Sequence, residues 1–312
     1  MITFLLRRAG YTLVTVWLAL TFAFFLLRVL PEDAISVQLT ISGATDAQIS
    51  ARRAELSLDQ PLITQYLNVF GGLIRGDLSI SLSNGRAVTA IIGEQLPSTF
   101  ALALGGLGVG IITGIWLGSA ASLTRLPLKA AARGCLTFLL AAPVYWTGTL
   151  AIYIFAVWLD WLPSTGSGRD IRSLLLPWLV LGLSIAGSIG QFTANLLQES
   201  ETTPYLRTGR AKGLRQRTLF WQYRLKTGAS GLISLIGLQA GFVLGGAALT
   251  EALFVRRGMG QVLVQAVNER DYPVVQGIVM LSALIYALIG MLTDFLSAWV
   301  DPRLRQPENE AR

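Results

Sequence analysis

The chain has 312 residues, of which 53% are apolar and only 14% charged, with a formal net charge of +7. That balance excludes an ordinary soluble domain and marks an integral membrane protein. With no histidine and a single cysteine, Cys135, the chain lacks the commonest metal ligand and general base and cannot close an internal disulfide.

Apolar runs of about 20 residues, the length that crosses a bilayer, recur six times, near 9–30, 97–123, 134–159, 174–197, 229–250 and 274–300. Arg7 and Arg8 precede the first, and no small-residue cleavage site follows it, so it reads as a retained helix with a cytoplasmic N-terminus. Residues 31–96 form an extracytoplasmic region too long for a turn, and they read as small helices. Thr45 with Gln48 forms a capping-box pattern before "ISARRAEL", and Asp59-Gln60-Pro61 opens a second helix. In that helix Leu62, Ile63, Tyr66, Leu67, Phe70 and Leu73 recur at helical spacing, as expected at the membrane surface or against neighbouring spans. Asn84-Gly85 marks a turn, after which a short helix leads to Pro97.

Gly106, Gly110, Gly114 and Gly118 repeat every fourth residue in the second span, and Gly237, Gly241 and Gly245 do so in the fifth. Such stripes let helix backbones approach closely, for static packing or for sliding during alternating access. Pro143 predicts a kink in the third span. Within the spans Gln191, Asn195 and Gln239 read as interhelical hydrogen-bond formers, and Asp294 as a structural or interfacial group near the inner surface.

Between the fourth and fifth spans lies a connection, residues 199–228, far longer than a return through the membrane requires. It contains "TPYLRTGRAKGLRQR" from Thr203 to Arg217. Thr202 or Thr203 suits an N-cap, Pro204 the first helical position and Gly213 the position just past the end, which predicts a helix of about two turns. A second amphipathic stretch follows, with Leu214, Leu219, Phe220 and Tyr223. The proposed inside segments hold 15 of the 25 Lys and Arg: Arg7, Arg8, Arg125, Lys129, Arg133, seven between Arg207 and Lys226, and Arg303, Arg305 and Arg312. The outside segments hold Glu32, Asp33, Asp46, Glu55, Asp59, Asp77 and Glu94, so the positive-inside rule supports six crossings with both termini cytoplasmic. The basic excess is first a topology signal, with contact to anionic lipid as its companion reading, and no nucleic-acid partner is expected.

At these residues the chain resembles the inner-membrane permease subunits of ATP-binding-cassette (ABC) importers, in particular the oligopeptide, dipeptide and nickel group. "YLRTGRAKGL" from Tyr205 to Leu214 is similar to that group's "YVRTARAKGL". "LPEDAI", "LSLDQPLITQYLNVFGGLIRGDLSISL", "VNERDYPVVQG" and "DPRLR" resemble its other landmarks in the same order, so the likeness covers nearly the whole chain. Departures are Glu32 for a glycine, Tyr223 for a histidine, Gly231 for a proline, and Arg256-Arg257 for an aromatic residue and proline.

The resemblance implies an all-α fold of the type I importer permease, in a bacterial or archaeal plasma (inner) membrane. It divides the chain into a first segment 1–30, an extracytoplasmic helical region 31–96 and a five-helix core 97–312 with a cytoplasmic coupling loop 199–228. Pro204, Tyr205, Leu206, Arg207, Thr208, Gly209, Arg210, Ala211, Lys212, Gly213 and Leu214 are thereby expected to couple to an ATPase, with Arg207, Thr208 and Gly209 at the Glu-Ala-Ala positions of the wider superfamily. The implied partners are a second homologous permease, two ATPase subunits that bind ATP and Mg, an extracytoplasmic substrate-binding protein and membrane lipid. No cofactor is expected in this chain, and the phosphate-binding GxxxxGK[ST] pattern is missing from the sequence, so ATP hydrolysis belongs to partners. Peptides are the first cargo implied, with nickel or another small solute next. An ion-coupled carrier would need intramembrane ion-coupling groups or recognisable repeats, and a membrane enzyme would need a nucleophile, metal site or acid–base pair at one depth; little of either is visible.

Overall fold

The computed structural model describes residues 2–29, 39, 43–55, 59–122, 126–165 and 170–301. The "LPEDAI" segment, Arg125 and most of "DPRLR", with Arg303, Arg305 and Arg312, lie outside the described residues. All extended regular structure among the described residues is helical, apart from one isolated antiparallel bridge between Ile80 and Ala87.

In chain order the helices are α1 (Ile2–Val29), α2 (Asp46–Glu55), α3 (Leu62–Ile74), α4 (Val88–Ala121), α5 (Leu126–Ala141), α6 (Val144–Ala151) and α7 (Arg172–Ser200). α6 continues as a π-helix over Ile152–Trp158. There follow α8 (Pro204–Ala211), then α9, which starts at Gln216–Thr218, turns π-helical over Leu219–Arg224 and closes at Leu225–Thr227. The chain is completed by α10 (Ala229–Leu253), α11 (Met259–Asn268) and α12 (Tyr272–Val300).

α4, α7, α10 and α12 are long and apolar enough to cross a membrane, and the α5–α6 pair makes a fifth if counted as one span. α1 carries a shorter apolar stretch, Gly10–Leu26. Two expectations change. The third apolar run is not one kinked helix: Pro127–Ala141 and Val144–Trp158 meet at 109°. Proline has no N–H to continue the ladder and pushes its predecessor out of the helical region, so Pro143, at ψ 135, ends one helix and starts another. Pro97, by contrast, ends no helix. It sits inside α4, which starts nine residues earlier than the hydropathy suggests.

The chain divides into two compact units, one comprising Ser98–Arg257 with Leu288–Arg312, the other Ile2–Pro97 with Gly258–Ala287. In the first, α7 is the central element: its apolar stretch is 67% buried, against 28% for α10. Leu181, Ile185 and Ile189 of α7 pack with Leu102 and Ala103 of α4 and with Leu232, Val243 and Ala247 of α10. Leu136 of α5 and Ala194 of α7 form a second cluster with Ala120 and Ala121.

In the second unit α3 lies against α1. Tyr66 shares a hydrogen bond with Thr21 at 2.9 Å, and its ring meets those of Phe24, Phe25 and Phe70. Of the other apolar residues of the α3 pattern, Leu62, Ile63 and Leu67 stay exposed, while Leu73 is half-buried. Gln48 Oε1 accepts from the Thr45 backbone N–H at 2.9 Å, the returning half of a capping box at the start of α2. Gly85 closes its turn at φ +69, donating its N–H to the Ser81 carbonyl.

One polar clamp secures this unit. Asp271, 2% exposed, accepts from Ser81 Oγ at 2.5 Å and from the backbone N–H groups of Leu82 and Ser83 at 3.1 and 3.3 Å. Asp271→Ala strands those donors, and the expected loss is about 2 kcal/mol, read as a lowered denaturation midpoint in detergent; Asp271→Asn, which keeps an acceptor oxygen, loses less.

Candidate functional site

The stretch from Ser200 to Gly228 folds as a helix–turn–helix. Pro204 occupies the first position of α8 and Thr203, extended at ψ 139, its N-cap. Thr203 Oγ1 donates backward to the Ser200 carbonyl at 2.6 Å rather than capping α8. At the other end Leu214 N–H reaches the Gly209 carbonyl at 3.2 Å and Gly213 N–H the Arg210 carbonyl at 2.9 Å. That bond pair is a Schellman motif, whose residue past the cap must be left-handed; Gly213 supplies it at φ +72.

One face of α8 seats it. Leu206 is fully buried, and Gly209 lies so close to Leu219 of α9 that a Cβ there would come within 2.8 Å of Leu219 Cδ2. The outward face and the following turn carry Arg207, Thr208, Arg210, Ala211, Lys212 and Gly213, all exposed, with Arg215 and Arg217 continuing the basic crest. Tyr205, at the edge, donates its hydroxyl to Thr227 Oγ1 at 3.2 Å.

Sequence reasoning missed the brace beneath this helix. Glu201 pairs with Arg210 of α8 and, at 2.8 Å, with Arg224 of α9. Arg224 also donates through Nη2 to the Leu197 carbonyl at 2.6 Å and through Nε to Ser200 Oγ at 3.1 Å, satisfying the last turn of α7. Burial pushes the Arg224 guanidinium below its ordinary range, while Glu201 pulls it back up and Arg210 adds a smaller depression. Arg224 entered the sequence reading only as a topology charge, because nothing local pairs residues 23 positions apart.

The glycines of α4 face α7. A Cβ on Gly106 would lie 2.9 Å from Leu181, on Gly110 2.4 Å from Ile185, on Gly114 2.8 Å from Ile189 and on Gly118 2.4 Å from the Gly190 carbonyl. α7 reciprocates with Gly182, 2.7 Å from the Gly106 carbonyl by the same construction. The α10 stripe divides: Gly237 abuts Thr293, Gly241 is buried, and Gly245 is exposed.

Of the intramembrane amides, Gln239 donates to Ser188 of α7, while Gln191 and Asn195 are exposed on the single chain. Asp294 is half-buried and already engaged. A carboxylate not anticipated from sequence, Glu251, is fully buried near the end of α10 and accepts from Thr99 Oγ1 at 2.6 Å. The Arg256 departure is buried as well, with Nη2 3.4 Å from Ser98 Oγ. Burial lowers its guanidinium from the usual range, and Glu251 opposes that shift. Among the described residues no group of three or more Cys, Asp or Glu side chains is placed to hold a metal ion.

These features define a multi-pass helical membrane component, and comparison with known proteins gives its class. Residues 106–306 match the family described as the binding-protein-dependent transport system inner membrane component, and residues 1–103 match the N-terminal region of such membrane components. A Brucella ovis protein named as a peptide permease is 34% identical over 301 residues, covering 92% of this chain and 94% of its own length. The glutathione transport system permease protein GsiC of Pectobacterium atrosepticum is 31% identical and that of Escherichia coli K12 30%, each covering 98% of this chain and 99% of its own length. In fold, a chain of the MetNI methionine ABC transporter aligns at a TM-score of 0.59 with 18% identity, over 68% of this chain and 97% of its own. The chain belongs to the family of inner-membrane permease subunits of binding-protein-dependent ABC importers. It is a non-catalytic, multi-pass protein of the bacterial inner membrane.

Proposed function

We propose that this subunit imports peptides and that α8 is the lever through which ATPase subunits drive it. Six crossings, with α1 and the bent α5–α6 pair each counted once, put both termini and α8 in the cytoplasm. Two ATPase subunits close on ATP and Mg, α8 moves with one of them, and the spans exchange inward for outward opening. A second homologous permease completes the pathway, and an extracytoplasmic binding protein delivers cargo. The names of the relatives, peptide permease and glutathione transport permease, favour peptides or peptide-like thiols over nickel.

The observation that carries this reading is the seating of α8. A lever must be stiff and must offer a free face: Leu206 and Gly209 anchor α8 from below, Gly213 locks its end, and Arg207, Arg210 and Lys212 stand exposed.

The test is to express the chain with its genomic neighbours, purify the complex and measure peptide-dependent ATP hydrolysis in vesicles. Gly213→Val forces a β-branched residue into left-handed backbone at a cost of roughly 1–2 kcal/mol. It and Arg210→Glu are expected to lower ATPase copurification several-fold while the membrane-inserted level stays unchanged. Proton-driven uptake without any ATPase, or Arg210 labelled only from outside the cell, overturns the proposal.

A further inference from the structure

Within the second unit a cavity of about 310 Å³ is lined by Arg28 at the end of α1, by Gln65, Asn68 and Gly72 of α3, by residues 77–80 and Leu82, and by the first turns of α12. Its size falls at the lower end of small-ligand sites. Two donors on its wall lack acceptors. Gln276 is 5% exposed, yet its Nε2 has no hydrogen-bond partner among the described residues. Arg28 lies over aromatic rings, with its guanidinium carbon 3.7 Å from the Phe24 ring centroid and 5.5 Å from that of Tyr272. Its Nε donates to Gln65 Oε1 at 2.9 Å and Nη1 lies 3.4 Å from the Phe24 carbonyl, which leaves Nη2 uncommitted among the described residues. A buried amide donor without an acceptor is rare because it forfeits hydration, so Gln276 is placed to donate to an oxygen atom that enters the cavity. A planar cation beside it selects an oxyanion.

Two further facts narrow the ligand. Asp77 lines the same cavity with one carboxylate oxygen given to Ser79 N–H at 2.8 Å, so a cationic group on the ligand is also accommodated. Arg28 lies just past the apolar stretch Gly10–Leu26, whose Phe22, Phe25 and Leu26 are exposed. That is the depth at which helix-end arginines meet headgroups.

We propose that this cavity binds the zwitterionic headgroup of a phospholipid, with Arg28 and Gln276 donating to the phosphate and Asp77 receiving a primary ammonium. The shared chemistry, an oxyanion with an ammonium, also describes a short peptide, and the experiment separates the two sources. The proposal does not depend on the transport reading, because its readout is lipid retention rather than uptake.

The full-length chain, with whatever partners copurify, is taken from vesicles containing phosphatidylethanolamine and phosphatidylglycerol and analysed by native mass spectrometry for retained lipid. Wild type is expected to retain phosphatidylethanolamine preferentially. Gln276→Glu, which sets a carboxylate against the phosphate, reduces retention about tenfold or more, the loss of one charge-assisted contact. Asp77→Asn, at an exposed position with little risk to folding, shifts retention toward phosphatidylglycerol and decides the matter if Gln276→Glu does not fold. Equal retention by wild type and variants overturns the proposal. So does displacement of the lipid from wild type by millimolar triglycine, which assigns the cavity to a soluble zwitterion.

Discussion

Gly118→Ala is expected to loosen the α4–α7 contact, whereas Gly108→Ala, ten residues earlier in the same helix, leaves it intact. A methyl on Gly118 comes within 2.4 Å of the Gly190 carbonyl oxygen and 2.7 Å of Thr193 Cβ, so a backbone atom blocks it and the helices must part. Overpacking of this kind costs about 1–3 kcal/mol, and within lipid close approach of small residues is a main source of helix association. Around Gly108 nothing lies within 4 Å, so alanine there adds its helix propensity, up to about 1 kcal/mol in favour of the fold. Thermal denaturation of the two variants in one detergent is expected to move the midpoint in opposite directions. Matching shifts refute the assignment of this seam to α7. Gly105 is an intermediate case, because its methyl meets the Trp178 ring, which can turn if it gives up its 2.9 Å bond to the Ala101 carbonyl.

Arg224→Met is expected to lower stability by about 2 kcal/mol, the cost of stranding partners of a charged donor, and, on the lever role proposed for α8, to uncouple ATP hydrolysis from substrate. The substitution removes the donors to Leu197 and Ser200 and leaves Glu201 with Arg210 alone. α8 then keeps its Schellman end but loses the tie from α9 to the end of α7. Arg224→Lys restores charge without the fork and recovers only part of the effect. Glu201→Gln is milder, since Arg224 keeps two of its bonds. Protease sensitivity of residues 199–228 and peptide-stimulated ATPase activity together check this. Raised sensitivity with normal stimulation separates a purely structural brace from one that transmits force.

What could be read in the sequence was what is written locally. Pro204 and Gly213 delimit α8 because each imposes one residue's backbone, and the four-residue glycine period exposes a seam because it is a property of one helix. The α10 period shows the limit of that signal: Gly237 abuts Thr293, but Gly245 is exposed, since periodicity cannot say which partner is present. Proline is ambiguous for a similar reason. Pro97 runs inside α4 while Pro143 separates helices meeting at 109°, so the residue type alone does not say which a proline will do. Arg224, Glu251 and Arg256 were illegible because each owes its role to burial or to a distant partner. Arg256 was noticed only as a departure from relatives, and its almost complete burial was unforeseen.

The clamp at Asp271 has a consequence for how the protein is made. Ser81 and its acceptor are separated by 190 positions. At a synthesis rate of roughly 5–20 residues per second, the hairpin around Asn84 waits on the order of ten seconds or more before its carboxylate leaves the ribosome. During that interval the Leu82 and Ser83 N–H groups lack the carboxylate that accepts from them in the folded chain. The residue just before the last described helix is therefore a latch that is laid down late in synthesis, and a chain ended before Asp271 lacks it.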